Sequence, residues 1–518
     1  MANPIRNLVF VSIFIICVNS DPGTSKADPV PTENYPYHEI LDADENYHLF
    51  WKFTDTNITF ETHVRTKGYV GFGFSSNGKM YPGDVVVGWV KDGVTHFKDL
   101  HTVGHRPPIV DASQDWFLLH GEENDFGTVL KMVRKFDTCD TDDIKIKNDT
   151  IRGIYSYSPS DPVDMDSLPY HGPIHRGSKS LMLLTKTRTP TLPSDVVTKD
   201  FLNDNFEPVV EKGHESLVHH IVLYKCPLLK DKIIGHEYVC YNDFVPCGNV
   251  YLAWATGGKA FYYPDDVGMP IGEPGDNDVF VLETHYNNPA LRKDYVDSSG
   301  MRIVMTPTLR HHDAGMLAVS MWAHPLQIIP PGMKDFRSNT FCTSDCLRKG
   351  LDKMKSGVKM FAVLQHAHLL GRGIRTRLYR NGTELEPIAY DEHYDFDYQE
   401  YRYLNRMRTL QSGDSIVVEC RYDSTGRVNK TVGGFSTQDE MCVSFILYYP
   451  RMNVDMCANI PAFDNIVANF TQATAALGKL EFKNYNVVEA YLEKLNTTHY
   501  LSFCRESGPP IKVIELEK

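Results

Sequence analysis

Strand-sized runs separated by turn residues dominate this chain and leave room for few helices. "YHLFWKF" (47–53), "NITFETHV" (57–64), "GYVGFGFS" (68–75) and "DVVVGWV" (84–90) alternate apolar with polar positions and are rich in aromatic and β-branched side chains. Such side chains suit a pleated, half-buried surface, and the alternation sends one face to a core and the other to solvent. Residues 37–158 therefore predict an antiparallel β-sandwich. "SYSPSDPVDMDSLPYHGP" (156–173) is rich in proline and small polar residues and reads as a linker.

The pattern resumes at 178 and runs to the end: "LMLLTKT", "VHHIVLY", "VFVLETHY", "MRIVMTP", "KMFAVLQHAHLL", "SIVVECRY" and "MCVSFILYY". Proline and glycine punctuate it, with "IIPPGM" (328–333) near the middle. Two further packed β-domains, 178–325 and 326–515, fit this length. Helical spacing shows only near 344–355 and in "YNVVEAYLEKL" (485–495). The expected fold class is all-β with few helices.

The ends and the cysteines bear on compartment. "MANPIRNLVFVSIFIICVNS" (1–20) has one Arg, an apolar core from Leu8 to Val18 and a polar close, the pattern of a cleaved secretory signal. No later run is apolar for eighteen residues, so no membrane span is expected in the mature chain. Six N-x-S/T sequons agree with a secretory route: Asn57, Asn148, Asn381, Asn429, Asn469 and Asn496. Of 11 cysteines, Cys17 leaves with the signal, and the ten others read as disulfide formers in an oxidising lumen. The formal charge of −13 argues against a nucleic-acid surface. The expected location is the secretory lumen or the extracellular space. Oligomeric state is not legible.

Histidine placement carries the chemistry. In "FAVLQHAHLL" (361–370) His366 and His368 lie two apart in an apolar run, and on an extended strand residues i and i+2 share a face. A buried hydrogen-bonded pair and a metal-binding pair both fit that spacing. "SLVHHIVLYKC" sets His219 and His220 side by side, where strand neighbours face opposite ways unless a bulge or strand end intervenes. His311 and His312 in "LRHHDAGM" read as a loop pair. "VFVLETHYNNP" ends a strand at His285, and "TQDEMCVSFILYY" opens one at Met441. Taken singly, His285 is a structural histidine and Met441 is core filler.

Taken together and in order, "LVHHIVLY", "LETHYNNP", "QHAHLLGRG" and "DEMCVSFILYYPR" resemble the copper type II, ascorbate-dependent monooxygenases. The resemblance covers roughly 40–460 and is strongest to the DBH-like (dopamine β-hydroxylase-like) branch, whose N-terminal sandwich is a DOMON domain. It implies a DOMON β-sandwich followed by two jelly-roll-like copper domains. It implies one copper at His219, His220 and His285, and a second at His366, His368 and Met441, with His366 in the catalytic half. Ascorbate would supply electrons, and O2 and a small-molecule substrate would be the reaction partners. The pairings it implies are Cys226–Cys247, Cys342–Cys457, Cys346–Cys504 and Cys420–Cys442.

One position bears on substrate, speaking against a peptidylglycine, and the chain departs from that family in two other places. The peptide-hydroxylating branch has an arginine two residues before HxH, where Leu364 stands here. A Tyr-Trp-Cys-like segment expected before His219 is missing from "LPSDVVTKDFLNDNFEPVVEKGHESLVHH". Cys139 and Cys240 are left without implied partners and are not expected to pair with each other. The expected activity is hydroxylation of an unactivated C–H bond, in an aromatic amine or a related small molecule that Asp439 or Glu440 could meet. The alternatives are a catalytically silent secreted copper- or ligand-binding protein of the same fold, and a haem or sugar binder acting through the DOMON domain.

Overall fold

A computed structural model describes residues 28–185, 197–199, 204–215, 217–226, 249–271, 279–288, 292–463, 477–506 and 512–516. The expected signal segment, Cys240, Cys247 and Asn469 lie outside these residues, as does part of the stretch before His219. Two helices are present among the described residues, Ser344–Leu351 and Tyr485–Thr497, at the places helical spacing predicted. Each opens on a side-chain cap: Thr343 accepts from the Cys346 amide and Asn484 from the Asn486 amide. Neither is long and apolar enough to cross a membrane.

The N-terminal sandwich packs a five-stranded sheet (Tyr37–Ile40, Tyr47–Phe53, Asn57–Val64, Thr128–Lys135, Phe117–Glu123) on a six-stranded one. Strand Arg176–Leu181 pairs with Ile151–Tyr157 and extends the second sheet. The inward residues of the alternating runs, Leu49, Trp51, Phe60, Phe72 and Phe74 among them, form its core.

The middle unit holds strand Val218–Cys226 between Asn249–Ala255 and Val279–Tyr286, with a four-stranded sheet alongside. The last unit is built on a seven-stranded sheet, in which Val358–Ala367 lies between Arg402–Leu410 and Cys442–Tyr449. A five-stranded sheet around Asp414–Tyr422 packs against it. Cys342–Cys457, Cys346–Cys504 and Cys420–Cys442 are bonded, as the resemblance implied. Cys226 is disulfide-bonded, while its implied partner Cys247 is among the undescribed residues. Cys139 is exposed and free.

The apolar run around His366 is explained by burial on both faces of one strand. Val358, Met360, Val363 and Ala367 pack into the last unit's own core. A register shift between Met360 and Ala362 resets the alternation. Phe361, Ala362 and Leu364 then join a cluster shared with Trp254 and Phe261 of the middle unit. Ala362, Leu364, His366 and His368 follow the two-residue period along that second face. The strand thus delivers two imidazoles to the seam between units.

Candidate metal centre

The adjacent histidines sit at a bulge. Register between Val218–Cys226 and Val279–Tyr286 shifts between Val218 and His220, so His219 is the irregular residue. An extra residue in a ladder bends the strand and re-aims a side chain, and here it turns both rings to one place. The two Nδ1 atoms lie 3.1 Å apart. His285 is the cross-strand partner of His220, with ring centres 4.6 Å apart and 5.8 Å to His219. His219 is buried, and its Nε2 has no hydrogen-bond partner.

The HxH pair is held differently. Ring centres of His366 and His368 are 5.1 Å apart. His366 Nδ1 lies 2.7 Å from Gln399 Oε1, while Gln399 Nε2 donates to the Phe396 carbonyl at 2.6 Å. The carbonyl fixes which end of the amide faces His366: the oxygen does, so Nδ1 donates and Nε2 keeps its lone pair. His368 Nδ1 lies 3.2 Å from the Asp439 carbonyl, which can only accept, and the same tautomer follows.

Met441 is tied to this pair through the backbone. The ladder pairs Ala367 with Cys442, so one further step sets His368 opposite Met441. Fully buried Glu440 spans the two: its carboxylate accepts from the amides of His368 (2.9 Å), Leu370 (2.6 Å) and Met441 (3.2 Å). Tyr422 donates to the Met441 carbonyl at 2.8 Å, and Cys420–Cys442 fixes the next residue.

The two groups face each other. Ring centres of His220 and His366 are 6.3 Å apart across the seam. Phe396 stacks on His219 at 4.1 Å and meets His368 edge-on at 6.3 Å. The five expected histidines therefore gather at one seam, with the backbone of Met441 beside His368. The other adjacent pair does not: His311 is exposed, whereas His312, expected in a loop, lies in a two-residue strand paired with Val267 and stacks on Tyr449.

Burial and mutual repulsion keep the imidazoles neutral. Burial first, then the neighbouring rings, bring His219 and His220 down to about 3, and burial brings His368 to about 2. His285 and His366 are also lowered by burial, with Gln399 opposing this at His366. Neutral imidazole is the form that donates a lone pair to a metal. A pH dependence follows. A histidine lowered in the fold takes up a proton on unfolding once pH drops below its ordinary value of about 6.5. Metal-free stability should be full above that value and fall below it, by up to about 1.4 kcal/mol per pH unit for each such ring. Urea unfolding of the metal-free protein at pH 7 and pH 5 measures this. A His219→Ala, His368→Ala double variant should show a shallower fall.

Two sequence expectations about substrate groups meet the structure here. Glu440 has no free oxygen for an amine, since both are engaged by backbone N–H groups. Leu364 is buried in the shared apolar cluster, so its position offers no clamp for a carboxylate. Gln399, Phe396 and Tyr394 were not foreseen. They lie in "DEHYDFDYQE" (391–400), a polar and aromatic stretch whose lack of strand or helix period gave no signal.

Three known domain families match the chain in order. Residues 43–158 match the DOMON domain. Residues 187–293 match the N-terminal domain of the copper type II ascorbate-dependent monooxygenases, and 312–469 match the C-terminal domain. The chain is 39% identical to human DBH-like monooxygenase protein 1, covering 85% of this chain and 77% of that protein. It is 32% identical to bovine dopamine beta-hydroxylase, covering 86% and 78%. Matches of this extent, spanning a DOMON sandwich and both copper-domain models in order, place the chain in the family of copper type II ascorbate-dependent monooxygenases.

Proposed function

We propose that this protein hydroxylates an unactivated C–H bond of a small molecule, with one copper at His219, His220 and His285 and a second at His366, His368 and Met441. The observation that carries the reading is the meeting of two imidazole groups at one seam, with Nε2 free on His366 and His368 and two converging Nδ1 atoms on the other side. The donor set fits copper. Imidazole serves both oxidation states and a thioether favours Cu(I), whereas zinc prefers His, Cys and carboxylate. The buried, unpartnered Nε2 of His219 marks a polar group without a protein partner at the same place. When bound, copper would supply the one-electron chemistry for a reaction in which RH, O2, two electrons and two protons give ROH and water, ascorbate being the reductant.

The chain's own contribution is placement and exclusion. Gln399 and the Asp439 carbonyl hold the two rings in the tautomer with Nε2 available. Glu440 and Cys420–Cys442 hold Met441 beside His368. Leu364, Ala362 and Phe396 keep water from the seam. An aromatic amine is the first substrate to try, because dopamine beta-hydroxylase is among the relatives. The disulfides suit the secretory lumen or the extracellular space.

Protein made through a secretory pathway should carry two coppers per chain and oxidise ascorbate in step with hydroxylation of a phenethylamine-type substrate. Two coppers without product from any of a broad amine and alcohol panel would overturn the activity; one copper or none would overturn the two-site assignment. A Met441→Ile variant separates ligand from filler. As filler the change costs under roughly 1.5 kcal/mol and nothing else. As a ligand, Met441 should give weaker Cu(I) binding on replacement while the metal-free unfolding temperature barely moves.

A further inference from the structure

One segment touches both histidine groups and the N-terminal sandwich at once. It runs from Asp391, at the end of strand Ala389–Asp391, to Arg402, at the start of strand Arg402–Leu410. On its inner side Phe396 stacks on His219, Gln399 accepts from His366, and Tyr394 uses its hydroxyl to bond both the amide (3.1 Å) and the carbonyl (2.6 Å) of Ala367. The Gln399 amide also donates to Thr256, whose own amide donates to the His219 carbonyl at 2.8 Å.

On its outer side the segment is gripped by the sandwich. Thr150 donates to buried Asp391 at 2.7 Å, and Arg402 bonds both Asp391 (2.6 Å) and Thr150 (2.9 Å). Arg152 donates to the His393 carbonyl at 3.1 Å and pairs with Asp395, which also accepts from Ser180. The Thr150–Asp391–Arg402 bonds are buried and charge-assisted, so removing one partner strands the others, while the Arg152 bonds lie nearer the surface.

We propose that residues 391–402 are a clamp through which the N-terminal sandwich sets the two histidine groups against each other, with Gln399 and Phe396 as its positioning residues. The proposal rests on the reading of these histidines as two metal half-sites. The sandwich thereby becomes part of the centre's support, even though none of its residues enters the site. Loosening the outer grip should free the inner one, because the segment is short and its ends are the gripped residues.

The test begins with metal-free, full-length protein carrying Thr150→Val and Arg152→Ala. Hydrogen exchange over 391–402 should accelerate, and diethyl pyrocarbonate should modify His219 and His366 at least about threefold faster, a local opening and not a global one. His63, buried in the sandwich, should keep its rate. Unchanged rates at His219 and His366 would overturn the proposal, as would an equal rise at His63. Thr150→Ser with Arg152 intact should restore wild-type rates. With Cu(II) bound, Gln399→Ala should shift the electron paramagnetic hyperfine coupling of the His366 half-site, and Gln399→Glu, which keeps an acceptor oxygen, should shift it less. An unshifted signal in Gln399→Ala would remove Gln399 from the positioning role. Should wild type take up fewer than two coppers, the functional reading fails, yet the metal-free rates still decide the clamp.

Discussion

A His366→Ala variant is expected to lose product formation completely, to bind one copper in place of two, and to be secreted like wild type. The first expectation comes from position. His366 belongs to the half-site with the soft donor and is also the ring nearest the other group, 6.3 Å from His220. Changes to outer partners of metal ligands lower affinity or activity by about 10–100-fold, so loss of a ligand should exceed that. The second comes from separation in the chain: His219, His220 and His285 are held by their own strands and their own bulge. The third comes from the backbone. His366 pairs with Val443 through main-chain bonds that alanine keeps, so the stability change should be about 1 kcal/mol, the ordinary size for one substitution. Metal analysis, an ascorbate-coupled assay and a thermal melt on the same preparation settle it. Residual turnover above about one per cent of wild type would be a loss no larger than that expected for an outer partner and would move the catalytic role elsewhere.

How much of this could be read beforehand depended on whether a residue's role was local. The His366-x-His368 spacing is a local rule, since i and i+2 share a strand face wherever the strand lies. The need for a bulge at His219 was also local, and the register shift appears where that need placed it. Strand content followed from alternation and side-chain shape, and the two helices from their spacing. The burial of both faces of Val358–Ala367 was half visible, as an apolar run. Its cause, a second unit packed on the outer face, depends on residues about a hundred positions upstream. Gln399, Phe396, Thr150 and Asp391 were invisible for the same reason. A glutamine that orients a histidine looks like any other glutamine, and the Thr150–Asp391 bond joins residues 241 apart. Glu440 misled in the other direction. A carboxylate beside a candidate site invites a substrate amine, but three amide donors hold it inward.

That inward role predicts the second large effect. Glu440→Ala is expected to destabilise the protein by about 3 kcal/mol or more, because it leaves the buried amides of His368 and Leu370 and the half-buried amide of Met441 without an acceptor, at about 1–3 kcal/mol for each buried one. Burial pushes the carboxyl up to about 8 while the three amides pull the other way, so the group is held by the fold at an electrostatic cost. Glu440→Gln should fall between the two. Its one oxygen can serve either Leu370 or the His368 and Met441 pair, and its NH2 then faces a donor. Copper uptake should track these differences at one half-site only. Since the amides of His368 and Met441 share one carboxylate oxygen, both donors should lose their fixed spacing together, and copper should drop from two per chain toward one. The group at His219, His220 and His285 has no bond to Glu440 and should keep its metal. Unfolding midpoints in urea and copper counts for the three proteins test this jointly. A Glu440→Ala protein as stable as wild type would mean that water replaces the carboxylate. A stable protein with two coppers would mean that Cys420–Cys442 and the Tyr422 bond suffice to hold Met441 in place.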